Sequence, residues 1–411
     1  MSTARTEPGS RTQALDAHHV MATYARQPVV FTRGEGSLLW DEDGREYLDF
    51  LGGLAVTSLG HAHPAVAAAI GEQARRLLHV SNLFHTEVQP RLARKVDGLL
   101  HAASGRHGRT FFANSGAEAN EAAIKLARRI GQRDGGPSRH GIVSALRSFH
   151  GRTLTTLAAT GQPEKQEIFA PLPTGFTQTA FGDIDSLRAT VDDTTCAVML
   201  EVIQAEGGVN VAPPGYLAAV RELCDDHGAL LILDEVQTGL GRTGTWFAFE
   251  HDGVSPDIVT LAKALGNGVP IGACWAHEDV AAGFSPGDHA TTFGGQPLAA
   301  RAALEVLSVM EAEDVPARAA RAGIRLSEGL EALSAVTGVR GRGLLLAAEL
   351  EPGLDAPVVV ARCLSAGLVV NAVTPSAIRL TPSLLVTDDE IQCAVSVLAD
   401  VLAGMQPEAA T

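Results

Sequence analysis

The segment LLILDEVQTG, residues 230–239, runs four apolar residues into Asp234 and then turns through Gln237 to Gly239. IVTLAKALG, residues 258–266, has the same grammar: an apolar run, then Lys263 just past its end and glycine soon after. Between Tyr216 and His227 lies an amphipathic helical pattern that Gly228 closes. Strands that read as continuous apolar runs, separated by helices, indicate a parallel sheet covered on both faces. In such sheets ligands bind at the carboxyl ends of the strands, where Asp234 and Lys263 both fall.

Working outward, Thr110–Ala113 reads as a short strand, after which Asn114-Ser115-Gly116 opens a helix running to about Arg129. Gly141–Leu146 and Ala197–Glu201 are further strands, and helical periodicity covers Pro64–Leu78 and Glu87–Leu100. Near the N-terminus, Ser37–Trp40 and Arg45–Phe50 flank Asp41-Glu42-Asp43-Gly44, a hairpin signal. Beyond Pro297 come two helical stretches, a strand over Gly343–Leu350, short elements at Leu368–Asn371 and Ile378–Thr381, and a last helix over Asp388–Leu402. The expected organisation is a flexible leader (1–17), an N-terminal segment (18–63) joining a small domain, a large domain (64–300) and a C-terminal small α+β domain (301–411).

Composition narrows the function. With 411 residues, 45% hydrophobic and 19% charged, the chain reads as a soluble globular enzyme. A formal charge of −15 argues against nucleic acid and against an anionic membrane, both of which need a basic face. No apolar run reaches membrane-span length, and the leader lacks the hydrophobic stretch of a secretory signal. Five scattered cysteines with no CxxC pair argue against a disulfide framework or a zinc site, and for a cytoplasmic location. No HExxH or supported GxGxxG segment is present, and His61 and His63 read as structural, so no metal is expected.

A strand-end Asp beside a strand-end Lys equally allows a structural ion pair. The third element decides between them. Asn114-Ser115-Gly116-Ala117-Glu118 joins a strand to a helix start, where free backbone N–H groups and the dipole favour a phosphate. An isolated NSG is otherwise a plain N-cap. Phosphate nest, acid and amine together are what pyridoxal 5'-phosphate (PLP) requires: an imine-forming lysine, a partner for the ring nitrogen and a seat for the phosphate.

The sequence resembles class III (ω-type) PLP-dependent aminotransferases of fold type I, and within them acetylornithine aminotransferases. The resemblance covers nearly the whole chain after the leader. It is carried by Tyr24-Ala25-Arg26, LGHAHP (59–64), NSGAEANEAAIKLAR (114–128), FHGRTL (149–154), LDEVQTGLGRTG (233–244), TLAKALGNGVPIGA (260–273) and TTFGGQPLA (291–299). It implies a large domain with a mostly parallel seven-stranded sheet plus a smaller α+β domain. It also implies a homodimer with shared active sites.

By the same resemblance, Lys263 is the Schiff-base lysine and proton shuttle, and Asp234 the partner of the pyridinium nitrogen. Gln237 lies near the cofactor's phenolic oxygen, Ser115, Gly116 and Ala117 form the phosphate loop, and Phe149 stacks on the ring. Thr292 reaches the phosphate of the neighbouring subunit. Arg152 binds a substrate carboxylate, and Arg379 binds the second carboxylate of glutamate. Glu206 is the gate that pairs with Arg379 when the donor lacks that carboxylate, and Tyr24 stands near the substrate end of the pocket. The implied reaction moves the terminal amino group of N2-acetylornithine to 2-oxoglutarate, giving N-acetylglutamate semialdehyde and glutamate.

The chain departs from the family's usual pattern at Val202 (proline), Ala205 (glycine), Asn267 (glycine) and Gln296 (asparagine). Val202 and Ala205 lie beside the gate, which keeps other donors open: ornithine, succinylornithine, 4-aminobutyrate or an acetyl-lysine-type amine. A mutase or racemase on the same scaffold, or a non-catalytic PLP-binding protein, are the alternatives of another class.

Overall fold

The structure is a computed structural model that describes residues 10–405. Residues 1–9 of the expected leader therefore lie outside the described residues. The part that follows is a helix, Arg11–His19, capped reciprocally by Ser10 and Gln13, with none of its side chains buried.

Seven strands form the central sheet: β1 (Gly108–Ala113), β2 (Gly141–Ala145), β3 (Phe176–Thr179), β4 (Thr195–Glu201), β5 (Leu230–Asp234), β6 (Ile258–Leu261) and β7 (Gly272–His277). Their order is β1-β7-β6-β5-β4-β2-β3. Only β7 runs against its neighbours, so the sheet is mostly parallel, as its buried apolar strands require. Every residue of β4 and β6 is buried. Polar residues therefore tell only at strand ends, and the register sets Asp234 beside Glu201 on one side and Thr260 on the other.

Two strands of this sheet escaped the sequence reading. In β3, FTQT alternates too briefly to register, and in β7, GACWAH is broken by small residues. The small residues have a spatial reason: a Cβ on Gly272 would lie 2.2 Å from the carbonyl oxygen of Ser115. β7 thus presses the sheet against the start of the helix Gly116–Gly135.

The N-terminal hairpin is Leu38–Asp41 paired with Glu46–Asp49. Phe31–Glu35 flanks it on one side and Leu368–Val369 on the other, so the first and last parts of the chain share a sheet. A second four-stranded sheet takes Val336–Arg342, Leu345–Leu350, Ala377–Leu380 and Asn371–Thr374 in that order. Helices Pro297–Ala312, Val315–Glu331 and Asp388–Ala403 complete this half.

Arg242 ties the pieces together. Its buried guanidinium donates to the carbonyls of Leu344 (3.0 Å) and Pro382 (2.6 Å) and to Ser58 Oγ (3.3 Å). Burial pulls its pKa down to about 9. An arginine can span such a junction because its planar fork meets several acceptors at once.

Candidate active site

The carboxyl ends of β1, β4, β5 and β6 border a cavity of about 390 Å³, within the usual range for small-molecule sites. Ser115, Gly116, Ala117, Phe149, Arg152, Asp234, Gln237 and Lys263 all line it. Eight of the expected site residues, scattered over 149 positions of sequence (115 to 263), therefore meet at one place.

Ser115 is the N-cap of the helix Gly116–Gly135, accepting from Glu118 N at 3.2 Å. Its capping role is compatible with the expected phosphate seat, because the cap satisfies only Glu118 and leaves the first helical N–H groups, those of Gly116 and Ala117, without intrahelical acceptors. Gly116 is glycine for room: a Cβ there would stand 2.8 Å from Val236 Cγ1.

Asp234 ends β5 almost fully buried. Its Oδ2 accepts from Asn120 Nδ2 at 2.8 Å and lies 2.8 Å from His150 Nδ1. A carboxylate only accepts, so the Nδ1 of His150 carries the proton. Oδ1 accepts from Val236 N at 3.1 Å. Asn120 also donates to the His150 carbonyl (2.7 Å) and accepts from Thr260 Oγ1 (2.7 Å), so the carboxylate is oriented by a closed set of buried polar groups.

Lys263 occupies a left-handed backbone conformation, φ 42°, unusual outside glycine and typical of sites where geometry is imposed. Burial pulls its ammonium down to about 8, with Glu206, Asp234 and Glu201 opposing and Arg379 assisting. An amine that loses its proton near neutrality can act as nucleophile and base. Glu201 is pushed well above the usual carboxylate range by burial and by Asp234, and its Oε2 accepts from Phe149 N at 3.0 Å.

Arg379 and Glu206 stand behind Gln237 rather than on the cavity wall. Arg379 is wholly buried and donates through NH1 to Glu206 Oε1 (2.7 Å), Ala205 O (3.0 Å) and Gln237 Oε1 (3.3 Å), while Nε donates to Asn371 Oδ1 (3.2 Å). Its NH2 has no hydrogen-bond partner among the described residues. Gln237 Nε2 donates back to Glu206 Oε1 at 3.1 Å. Burial raises the Glu206 carboxyl, but Arg379, Lys263 and these hydrogen bonds bring it down to about 2, so the pair is ionic.

Two expected residues lie away from the cavity. Tyr24 is 75% exposed and packs against the Arg26 guanidinium, 5.6 Å from its ring. Thr292 is exposed and borders a different recess, with Asn82 and Gln89. Asn120, His150, Thr260 and Glu201 carry structural roles at the site that the sequence reading did not assign. Asn120 had left a signal, a polar residue on a helix face otherwise made of Ala119, Ala122 and Ala123. Asn267, in place of a glycine, adopts φ 47° and ties its loop to the distant N-terminal segment, accepting from Leu59 N (2.8 Å) and donating to Gly60 O (3.0 Å). Asparagine tolerates that conformation better than most residues.

The donor set fits PLP: an amine of lowered pKa, an oriented carboxylate, a helix end with free N–H groups, and room for a ring beside Phe149.

The family profile for Aminotransferase class-III matches residues 20–402. An acetylornithine aminotransferase of Caldanaerobacter subterraneus is 48% identical over 392 residues, covering 94% of this chain and 98% of that protein. An ornithine aminotransferase of Toxoplasma gondii, whose structure shows partial occupancy of PLP at the active site, superposes with a TM-score of 0.90 at 35% identity, covering 96% and 95% of the two chains. The N-acetylornithine aminotransferase of Stenotrophomonas maltophilia gives 0.82 at 38% identity, covering 95% and 98%.

Proposed function

The chain belongs to the class III aminotransferases, and we propose that it moves the terminal amino group of N2-acetylornithine to 2-oxoglutarate, giving N-acetylglutamate semialdehyde and glutamate for arginine biosynthesis. The observation that carries this reading is the ion pair between Glu206 and Arg379, 2.7 Å long and held against Gln237. One site must take a donor whose reacting end bears no carboxylate and then a diacid that does. A carboxylate that covers Arg379 in the first half-reaction and yields it in the second meets both demands, since an uncovered buried arginine costs about 3–5 kcal/mol.

When bound, PLP supplies an aldehyde that takes up the amino group and a ring that accepts the electron pair left as the substrate C–H bond breaks. Lys263 Nζ takes the proton from the substrate carbon and returns it on the cofactor side. Asp234 keeps the ring nitrogen protonated, and its fixed orientation through Asn120 and His150 spares reorganisation during the reaction. Gly116 and Ala117 bind the phosphate, with Ser115 setting the turn. Phe149 and Gln237 line the same cavity, where Phe149 would pack on the ring and Gln237 would stand near its phenolic oxygen. Arg152, on the cavity wall, takes the distal carboxylate of the donor.

A homodimer is part of the proposal. Exposed Leu83 (86%) and Phe84 (69%) line a recess that Thr292 also borders, and exposed Phe293 (58%) follows Thr292 in the chain, an apolar patch that a second copy would cover. There Thr292 is available to a neighbour's site, and Tyr24 would gain partners in the same way. The proposed location is the cytoplasm, supported by five unpaired cysteines. Among the described residues no helix is long and apolar enough to cross a membrane.

A half-reaction tests the donor. N2-acetylornithine, added to the PLP form without keto acid, bleaches the visible cofactor absorbance at least about tenfold faster than ornithine or 4-aminobutyrate. Equal bleaching by the three, or by glutamate alone, overturns the donor assignment. The gate makes its own prediction. Glu206→Ala leaves Arg379 permanently uncovered, so kcat/KM for N2-acetylornithine falls about tenfold while that for glutamate holds or rises. A parallel loss for both substrates would show that Glu206 supports the fold rather than the choice of substrate.

A further inference from the structure

Phe149 and Arg152 line the cavity, and the Arg152 guanidinium carbon stands 5.8 Å from the centroid of the Phe149 ring. A second cation, Lys165 Nζ, stands 5.9 Å from the same centroid. Lys165 sits on a short helical turn, Pro163–Gln166, that is fastened on both sides. Gln162 Nε2 donates to Ser148 O at 2.9 Å, and Gln166 Nε2 donates to Leu157 O (3.0 Å) and Thr160 O (2.6 Å). The Lys165 ammonium donates to the Gln162 side-chain carbonyl, a neutral partner.

Among the described residues neither Arg152 nor Lys165 forms a salt bridge. The nearby acids are otherwise placed: Glu206 is committed to Arg379, and Glu164 makes no ion pair with the lysine. Two like charges thus stand 5.8 and 5.9 Å from the centroid of one aromatic ring, neither of them in an ion pair among the described residues. The lysine registers the arrangement, its pKa lowered by burial and by Arg152 against the weaker pull of Glu164 and Glu206. Arg152 lines the cavity and Lys165 stands by the same ring, so the two unmatched cations create a field that an anion beside Phe149 relieves.

We propose that Lys165 is a specificity-determining residue, its ammonium joining the Arg152 guanidinium to bind the carboxylate at the far end of the amine donor. The inference rests on the proposed reading of Arg152 and extends it: the donor's carboxylate meets a two-cation receptor rather than one arginine. Two cations hold that end from different directions and favour donors whose chain length brings the amine to Lys263 while the carboxylate sits between them.

The test is binding to the PLP-loaded enzyme, read by calorimetry with N-acetylnorvaline, which keeps the carboxylate and acetyl group of N2-acetylornithine but lacks the reacting amine. Lys165→Met weakens its binding about tenfold, the size expected for one charge-assisted contact that is partly exposed, and Lys165→Arg restores most of it. N-acetylbutylamine, the same molecule without the carboxylate, binds wild type and Lys165→Met alike. Unchanged N-acetylnorvaline binding in Lys165→Met, equal weakening for both probes, or no N-acetylnorvaline binding to wild type overturns the proposal. Turnover of N2-acetylornithine by the wild type is scored separately, so a different donor would fail the functional reading while the carboxylate receptor is still judged on its own.

Discussion

Lys263→Ala is expected to abolish turnover, with kcat lower by at least about four orders of magnitude, because in the proposed mechanism one side chain supplies both the covalent attachment and the proton transfer. The rest of the site does not depend on that side chain: the proposed phosphate seat belongs to the helix Gly116–Gly135 and the carboxylate to β5. The variant therefore still binds PLP, but without the visible absorbance of the wild type. Residual turnover above about one per cent would remove Lys263 from the mechanism. The wild type gives a companion signature. Only the neutral amine bonds to an aldehyde, and burial holds Lys263 down to about 8, so reloading of cofactor-free protein with PLP accelerates as pH rises through about 8 and then levels off. Stability follows the same group. Between about 8 and the ordinary lysine value of 10.5 the unfolded chain binds more protons than the folded one, so the cofactor-free protein gains stability as pH rises through that window. In Lys263→Ala both pH effects disappear.

How much of this was readable in the residues depends on the distance over which each signal acts. Strand β5 was legible because its composition is uniform and its one polar residue falls at the end; so was β6, and with them the placement of Asp234 and Lys263. The helix Tyr216–His227 agrees with its periodicity to the residue, because Gly228 caps it in a left-handed conformation. β7 was illegible because what selects its small residues is the carbonyl of Ser115, more than a hundred positions away, and no local pattern reports that contact. The helix Arg11–His19 was missed for the opposite reason. Its only local signal is the Ser10–Gln13 capping box, and it buries no face that would impose a period. At the site, Glu206 and Arg379 could be named from resemblance, but their common attachment to Gln237 is a fact of three dimensions. Lys165 lies beyond either kind of reading, since a lysine beside a glutamate in an exposed turn looks like surface until the Phe149 ring is found beneath it.

Asp234→Asn carries the second large effect and separates charge from shape. The amide has the volume of the carboxylate, so packing in the strand row Glu201, Asp234 and Thr260 is preserved. Its hydrogen-bonding pattern is not. Oδ2 now receives Asn120 and faces the His150 N–H, and Oδ1 receives Val236 N, so both oxygens are acceptors of groups that only donate. An asparagine must turn its NH2 toward one of these sets, leaving a donor against a donor in a buried space. Either Val236 loses its acceptor or the Asn120–His150 arrangement opens. Without the negative charge a ring nitrogen held there would lose its proton, and the cofactor would lose most of its capacity to hold the electron pair released by C–H cleavage. We expect kcat to fall by about 10²–10⁴, with KM for the amine donor within a few-fold of wild type because Arg152 and the gate are untouched. The decisive measurement is the rate of the isolated half-reaction under single-turnover conditions, with a deuterated donor carbon to show that C–H cleavage has become the slow step. A loss confined to KM, or a rate within tenfold of wild type with no isotope effect, would mean that Asp234 serves the sheet rather than the chemistry.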